Sequence, residues 1–461
     1  MNESIKIQGN NSKKLQPSLK NNLKFIIPSL LGILLFMTPI KFNGEITIPI
    51  AILSGELVNF LGVTLPSLIT FIISLSALGS IIAVTLKPKF ILENEFLNTL
   101  FNLKPIWFIA RILGAIFCIS VLTGIGPEFI LSESTGYFVL HDLLTILFSI
   151  FFFAGLLLPL LLSFGLLEFF GAILTKVMRP LFKLPGRSSI DCITSWLGDG
   201  TLGIMLTSKQ YEEGFYSKRE ASIISTTFSA VSITFSLIVI SQVGLSHMFI
   251  PFYLTVTFSG IVVAIIVPRI APLSKIPDTY YNNKPNEISE EIPEGYTSLS
   301  WGYAKAIEQA STNVSISKFF KDGFANVIDM LFGVLPVVMA LATTALIIAE
   351  FTPIFKILGL PFVPLLMLLQ VPEAVAASQT IVVGFADMLL PSVLAANTIT
   401  NEMTKFIIAC VSVTQLIYMS EVGGVLLGSK IPLTLKDLMI IFLQRTLITL
   451  PVIVLIANFL F

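Results

Sequence analysis

Long apolar runs are the feature that most constrains this chain. Several stretches of about 20 residues carry almost no charge, and that is the length a helix needs to cross the roughly 30 Å hydrocarbon core of a bilayer. Hydrophobic residues make up 54% of the 461 positions and charged residues only 12%, against about 25% charged in a soluble domain. A transmembrane barrel would instead show alternating segments of about 10 residues. The sequence therefore predicts an all-α polytopic membrane protein.

The orientation of these runs follows from the charges beside them. Residues 1–24 contain five lysines and one acid, which the positive-inside rule assigns to the cytoplasm. Residues 46–65 are apolar but hold Glu56, and we expect them to lie at the interface rather than to cross. Arg111 is expected to extend along its span towards the cytoplasmic face. Spans are predicted at 25–40, 65–86, 106–124, 143–163, 221–245, 249–268, 327–349, 406–419 and 438–461.

One segment of membrane length, residues 188–208, is too irregular for a plain span. It contains Asp191 and the tripeptide Gly198-Asp199-Gly200. Non-helical backbone at membrane depth is tolerated only where protein or a water-filled cavity covers it, and carboxylates at that depth are functional candidates. The charged residues at 209–220 return the chain to the cytoplasm. We therefore predict a re-entrant hairpin that faces a polar cavity.

A second irregular segment, residues 371–395, occupies the corresponding place in the other half of the chain. It contains Glu373, Gln379, Gly384 and Asp387. Each irregular segment is followed by a short polar turn and then by a span with a Ser/Thr-lined face. Counting spans places the turns of the two hairpins on opposite sides of the membrane. Paired broken segments with opposite orientation are typical of inverted-repeat transporters.

The repeat divides the chain into five parts: a cytoplasmic tail (1–24), N-terminal transmembrane helices (25–125), a first repeat (140–268), a cytoplasmic loop (269–322) and a second repeat (323–461). The predicted site lies where the two hairpins meet at the membrane midplane. Small and hydroxylated residues also promote helix packing without any ligand, so packing stays open for the serines. No catalytic residue or metal ligand is predicted. The candidate solute- or ion-binding residues are Asp191, Gly198, Asp199, Gly200, Ser229, Glu373, Gln379, Asp387, Gln415 and Glu421.

The sequence RPLFKLPGRSSIDCITSWLGDGTLG, with YEEGFYSKREASIISTTFSAVSI after it, covers residues 179–233. It resembles the nucleoside-recognition or Gate domain, and in particular the YjiH-like bacterial membrane proteins that carry it. The matching residues include Pro185, Gly186 and Arg187. The resemblance implies a transporter-like core of helical hairpins, distantly like that of concentrative nucleoside transporters. It does not fix a substrate.

These observations favour a secondary transporter of a small polar solute, nucleoside-like by resemblance and driven by Na⁺ or H⁺. The alternatives are a structural or signalling membrane protein of the spore-maturation type, or a metal-ion permease. An enzyme is disfavoured because the chain lacks HExxH and GxSxG motifs. We expect no cofactor, a multi-pass location in a bacterial cell membrane, and the bilayer and the solute as partners. A homo-oligomer is compatible with the sequence, whereas a net charge of zero does not suggest nucleic acid.

Overall fold

A computed structural model describes residues 19–38, 40–42, 45–197, 200–228, 231, 233–283, 292–293, 295–312 and 316–461. Apart from one short β-hairpin, every regular element in these residues is helical. Among them, seven helical segments are long and apolar enough to cross a membrane. The prediction of an all-α polytopic membrane protein is confirmed. The seven segments are Leu19–Met37, Pro49–Thr85, Pro105–Thr123, Glu128–Leu162, Ser246–Lys275, Ser317–Phe351 and Leu435–Leu460.

The N-terminal region packs against both halves of the chain. The apolar helix at Pro49–Leu61 has 13 residues, about 20 Å at 1.5 Å per residue, which is too short to cross alone. Its interfacial position stays a prediction. The elements are α1 (Leu19–Met37), β1 (Ile40–Phe42), β2 (Glu45–Thr47), α2 (Pro49–Leu61), a 3₁₀ turn (Gly62–Thr64), α3 (Leu65–Thr85), α4 (Lys89–Leu92), α5 (Glu95–Phe101), α6 (Pro105–Thr123), α7 (Glu128–Leu131) and α8 (Gly136–Phe138).

The first repeat contains the predicted hairpin and an interruption that we did not predict. The span predicted at 221–245 is wrong as a continuous helix, since a π-helical turn ends at Phe228 and Val231 lies outside any helix. The elements are a π turn (Val139–Leu143), α9 (Leu144–Leu157), α10 (Pro159–Leu162), α11 (Leu166–Phe182), α12 (Ser188–Leu197), α13 (Gly200–Glu212), α14 (Lys218–Ile223) with the π turn Ile224–Phe228, α15 (Ile233–Gln242), a 3₁₀ turn (Ser246–Met248) and α16 (Phe249–Ile266) with the 3₁₀ turn Val267–Arg269.

The long polar loop between the repeats is not without structure. Two 3₁₀ turns, Leu273–Lys275 and Tyr281–Asn283, precede α17 (Ser298–Thr312). The small residue Gly302 of α17 lies against α11, because a Cβ there would be 2.8 Å from the carbonyl oxygen of Phe169. The loop thus covers one face of the first repeat.

The second repeat has the same order of parts. The span predicted at 406–419 is too long, since its helix ends at Gln415. The elements are α18 (Ile316–Asp329), a π turn (Met330–Val334), α19 (Leu335–Phe351), α20 (Ile354–Gly359), a 3₁₀ turn (Leu360–Phe362), α21 (Val363–Leu368), α22 (Ala374–Ile381), a 3₁₀ turn (Val382–Phe385), α23 (Leu390–Thr398), α24 (Glu402–Gln415), α25 (Val422–Gly428) and α26 (Leu435–Leu460).

The two repeats therefore share one sequence of elements: a helical hairpin, a helix that stops early, a second short helix and a long helix. We call α12 and α13 hairpin 1, and α22 to α23 hairpin 2. One continuous hydrophobic core joins them and includes Leu147 of α9, Leu206 of α13, Phe406 of α24 and Phe442 of α26. Their opposite orientation in the membrane stays a prediction.

Candidate functional site

A hydrogen-bonded network fills the interior of hairpin 1. Asp191 of α12 is 1% exposed. Its carboxylate accepts hydrogen bonds from the Thr207 hydroxyl at 2.8 Å and from the Gln210 side-chain amide at 2.7 Å, both donated by α13. The two helices approach closely, since a Cβ at Gly203 would lie 2.6 Å from the Cβ of Ser195. Asp191 therefore fastens one arm of the hairpin to the other.

The network continues from hairpin 1 into α11. The Nε of Arg187 donates to the Gln210 side-chain oxygen at 2.7 Å. Its guanidinium group lies 3.7 Å from the centre of the Phe215 ring and 3.6 Å from the Glu168 carboxylate. All these polar groups are buried, so the loss of one would leave the others without partners in an apolar setting. The base of hairpin 1 is thereby fixed to α11.

Hairpin 1 also contacts the first interrupted helix. The indole N–H of Trp196, on α12, donates to the Phe228 carbonyl at 2.9 Å. Phe228 is the last residue of the π turn that follows α14. Its carbonyl would otherwise be one of the unpaired groups at a helix C-terminus. The indole thus satisfies a backbone group that the early end of this helix exposes.

Hairpin 2 is attached to the second interrupted helix by one amide. Gln415, the last residue of α24, donates to the Ile381 carbonyl and to the Thr446 hydroxyl, both at 3.0 Å. A Cβ at Gly384 would lie 2.2 Å from the Gln415 side-chain oxygen. A side chain at this point of the hairpin would displace the Gln415 amide.

The chain after α24 leaves the helix and pairs with the turn of hairpin 2. Leu416 has a φ of 61°, a left-handed value that is costly for a residue other than glycine. The backbone amides of Met419 and Ser420 donate to the carbonyls of Phe385 and Ala386 at 2.8 and 2.9 Å. The interruption is thus stabilised by contacts with the hairpin.

Asp387 lies in that same turn. Its carboxylate accepts the Leu389 amide at 2.8 Å and a hydrogen bond from the Ser420 side chain. The residue is only half-buried. Asp387 is therefore more exposed than Asp191, which is 1% exposed.

A single arginine joins the two interrupted helices. Arg445 of α26 is 2% exposed. Its Nε donates to the Thr414 carbonyl at 2.9 Å, and its Nη1 donates to the Thr226 carbonyl at 2.8 Å and, more weakly, to the Thr227 carbonyl at 3.4 Å. These carbonyls belong to the last turns of the two helices that stop early. We call this cluster of Arg445 and its three carbonyls the helix junction.

A cavity of about 800 Å³ opens between the repeats. It is bordered by α13 of the first repeat and by α25 with the segment that follows it in the second. Arg111 lines it, and the expectation that this side chain extends to the interface is wrong: it is 3% exposed and bonds the hydroxyls of Ser76 and Ser80 at 3.2 and 3.1 Å. The other charged residues in the lining are Lys104, Lys209, Glu212, Asp329 and Lys430.

The structure does not gather the predicted site residues into one place. Asp191 and Gly200 belong to hairpin 1, whereas Asp387 and Gln415 surround the turn of hairpin 2. Glu373 is exposed at the base of hairpin 2, where it binds the Thr400 amide and hydroxyl. Among the described residues, no predicted site residue lines the large cavity. The remaining ones are Gln379, half-buried on α22, and Glu421, just before α25, while Gly198, Asp199 and Ser229 lie outside the described residues.

Sequence reasoning missed Arg445, Arg187 and Gln210. For Arg445 a signal was present, because it is the only charged residue between position 438 and the C-terminus. A lone charge in an apolar span marks a position that faces protein or a polar cavity. The parts played by Arg187 and Gln210 depend on tertiary contacts that the sequence does not display.

Comparison with known proteins agrees with this arrangement. The family described as Gate, nucleoside recognition, matches residues 144–246, which include hairpin 1 and the first interrupted helix. A protein of Alkalihalophilus pseudofirmus, described as uncharacterized, is 52% identical over 441 residues, covering 96% of this chain and 95% of that protein. No solved structure matches the chain. The chain belongs to the family of multi-pass helical membrane proteins that carry a Gate nucleoside-recognition domain.

Proposed function

We propose that this protein is a secondary transporter of a small polar solute of the nucleoside class. The observation that carries the proposal is the pairing of each hairpin with its own interrupted helix, and the meeting of both units at Arg445. Interrupted helices are costly in a membrane, because their ends expose backbone groups that no water can satisfy. In transporters such ends bind substrates and coupling ions. A purely structural helical bundle has no need of them.

The cavity supports the solute class. At about 800 Å³ it falls within the range of about 300–1,000 Å³ that is usual for small-molecule sites. A Cβ at Gly333 would lie 3.6 Å from the Asp329 carboxylate and 3.9 Å from the Arg111 guanidinium. Charges of both signs thus line one wall. Such a lining offers both donors and acceptors to a small solute rich in hydrogen-bonding groups.

The proposal places the solute between the two repeats. A solute in the cavity contacts α13 of hairpin 1 on one side and the segment after α25 on the other. The Lys430 amide also approaches the Ser208 hydroxyl at 3.4 Å, so the two repeats are in contact at the cavity wall. Relative movement of the repeats would open and close this contact. We place the protein in the bacterial cell membrane, with uptake driven by an ion gradient.

The test is uptake of labelled solutes by proteoliposomes that contain the full chain. Nucleosides, nucleobases, amino acids and divalent metals would be compared, with Na⁺ and pH gradients imposed separately. We expect saturable nucleoside uptake that Asp329→Asn, which changes the cavity lining, reduces at least about tenfold, the loss expected when about 1.4 kcal/mol of binding is removed. Asp387→Asn should also reduce uptake, by changing the turn of hairpin 2 rather than a contact with the solute. Glu308→Gln, which changes an exposed carboxylate on α17, is the matched control and should transport normally.

The alternatives give different results in this assay. Uptake of a divalent metal instead of a nucleoside would support the permease. No uptake of any solute, in protein that is folded and correctly inserted, would contradict transport and favour a structural or signalling protein.

A further inference from the structure

Arg445 is a buried cation whose partners are backbone carbonyls. Its three acceptors come from the last turns of two different helices, at Thr226, Thr227 and Thr414. Within the described part of the chain, no carboxylate forms an ion pair with it. A buried charge is usually paired with a charge of opposite sign. Here the ends of two helices take the place of that counter-charge.

The ends of the helices explain this arrangement physically. Each helix carries a partial negative charge at its C-terminus, equivalent to about half an elementary charge. Two such ends directed at one point therefore balance about one positive charge. Freed carbonyls of this kind are the ligands that cations such as Na⁺ use in transporters with interrupted helices. The junction has the donor set of a cation site, and a guanidinium group occupies it.

Space at the junction is limited. The pocket beside Arg445 has a volume of about 30 Å³ and is lined by Trp196, Tyr253, Thr227 and Thr414, among others. A volume of this size admits a water molecule. A metal ion there would lie next to the guanidinium and be repelled by it.

We propose that Arg445 is the resident cation of the helix junction, so that the folded protein binds no Na⁺ there. This inference rests on the proposed function for its meaning in a transport cycle, since it removes Na⁺ from the position where paired helix interruptions would otherwise bind the driving ion. The arginine then acts as a positioning residue that holds the two repeats together. Because this positive charge is part of the protein, it is present at the junction whatever the ion gradient across the membrane.

The test measures thermal unfolding of the purified full-length protein, without any transported solute. Samples in NaCl, KCl and choline chloride at equal ionic strength are compared. Wild-type protein should have the same Tm in all three salts. Arg445→Ala should have a lower Tm in choline chloride, and millimolar methylguanidinium or Na⁺ should raise it saturably, because either cation can bind the vacated carbonyls. Methylguanidinium should not raise the wild-type Tm.

Thr449→Val is the matched control. Thr449 lies on the same helix, is buried, and is 3.3 Å from the Thr414 hydroxyl, but it carries no charge. This variant should lose some stability without acquiring any dependence on the cation. A Na⁺-specific rise in Tm that is as large in the wild type as in Arg445→Ala would overturn the proposal. The proposal would also be overturned if neither Na⁺ nor methylguanidinium raised the Tm of Arg445→Ala.

If Arg445→Ala does not fold, Arg445→Lys replaces it. This variant keeps a positive charge, and its Tm should be lower than that of wild type but equal in the three salts, whereas a Na⁺-dependent Tm would contradict the proposal. If neither variant folds, the proposal is tested by comparing the Tm of the wild-type protein in the three salts. If a cation raises the Tm of Arg445→Ala while the wild-type protein takes up no solute in proteoliposomes, the transporter proposal is contradicted and the role of Arg445 at the helix junction still holds.

Discussion

Hydrogen bonds link a carboxylate, an amide and an arginine within and at the base of hairpin 1. Hairpin 2 is tied to its interrupted helix and to the chain after it by one glutamine, by backbone pairing and by the hydrogen bond from Ser420 to Asp387. In hairpin 1, Asp191 binds donors from α13, and Arg187 extends the network towards Glu168. In hairpin 2, Gln415 provides the only side-chain amide contact that the described residues show at the turn, and Asp387 is half-buried.

The difference teaches which element is fixed and which is free to respond to a ligand. Breaking the network of hairpin 1 would leave several buried charged groups without partners at once. The contacts that the described residues show between hairpin 2 and the chain after α24 include no ion pair. We therefore expect hairpin 1 to be a rigid part of the frame and hairpin 2 to move when a solute binds. The predictions below test this contrast.

The largest effect is expected at Asp191. Asp191→Ala removes the acceptor of two buried hydrogen bonds, each worth about 1.5–3 kcal/mol when one partner is charged. We expect the free energy of unfolding to fall by about 3 kcal/mol or more, measured by thermal and denaturant unfolding in detergent. The matched control is Thr194→Val, because the buried Thr194 hydroxyl on the same helix has no hydrogen-bond partner among the described residues. Equal losses in both variants would contradict a structural network in hairpin 1.

A smaller effect is expected at Gln415. Gln415→Leu removes donors to the Ile381 carbonyl and the Thr446 hydroxyl, but it also removes a buried side-chain oxygen that has no partner in the described part of the chain. These changes partly offset one another, so we expect a loss of about 1–2 kcal/mol. Hydrogen exchange should become faster in hairpin 2 and stay unchanged in hairpin 1. Ser392→Ala is the control, since the buried Ser392 hydroxyl on α23 has no hydrogen-bond partner in the described residues either. A change confined to hairpin 1 would refute the assignment of Gln415 to hairpin 2.

At Asp387 we expect a change of stability below about 1 kcal/mol together with a large loss of transport. Asp387→Asn keeps an oxygen for the Leu389 amide and removes the charge from a half-buried position. Unfolding and uptake are measured on the same preparation. A variant that unfolds easily but transports normally would reverse the roles that we assign to Asp191 and Asp387.

The smallest effect is expected at Glu373, on the base of hairpin 2. Hydrogen bonds from the Thr400 side chain and amide lower the pKa of this exposed carboxyl below its ordinary value of 4.5. A lowered pKa stabilises the folded state above the ordinary value, and the contribution is lost as the pH falls through the lowered pKa. Glu373→Gln should therefore lower the Tm slightly at pH 7 and by less in acid. A Tm difference that grows on acidification would have the wrong sign.

Much of the fold could be predicted from the sequence, and the reason is physical. Apolar length and flanking charge identify the membrane helices, and glycines with carboxylates identify both hairpins. The interruptions after Phe228 and Gln415 could not be predicted in this way, since residues 229–232 and 416–421 contain neither glycine nor proline. Those helices end because Trp196, Arg445 and the turn of hairpin 2 bind their backbone groups.

The candidate site was predicted in part. Costly carboxylates point to Asp191 and Asp387, but their different burial decides their tasks, and burial is a property of the fold. A polar cavity beside hairpin 1 was predicted, but its charged lining was not, because that lining comes from separate helices and includes residues that resemble interfacial ones. Glu373 was predicted as a candidate binding residue because it stands in an irregular segment of membrane length. The structure instead places it at the surface, in contact with Thr400.

The most direct test of the account is thermal stabilisation of purified protein by a panel of nucleosides and nucleobases. A ligand that binds only the folded state raises its stability by RT ln(1 + [L]/Kd), about 2.7 kcal/mol at 100 times Kd. We predict that a nucleoside raises the Tm of the wild type and of Thr194→Val, and that Asp329→Asn, which changes a carboxylate in the cavity lining, abolishes the increase. No increase with any member of the panel, or an equal increase in Asp329→Asn, would contradict a solute site in the cavity between the repeats.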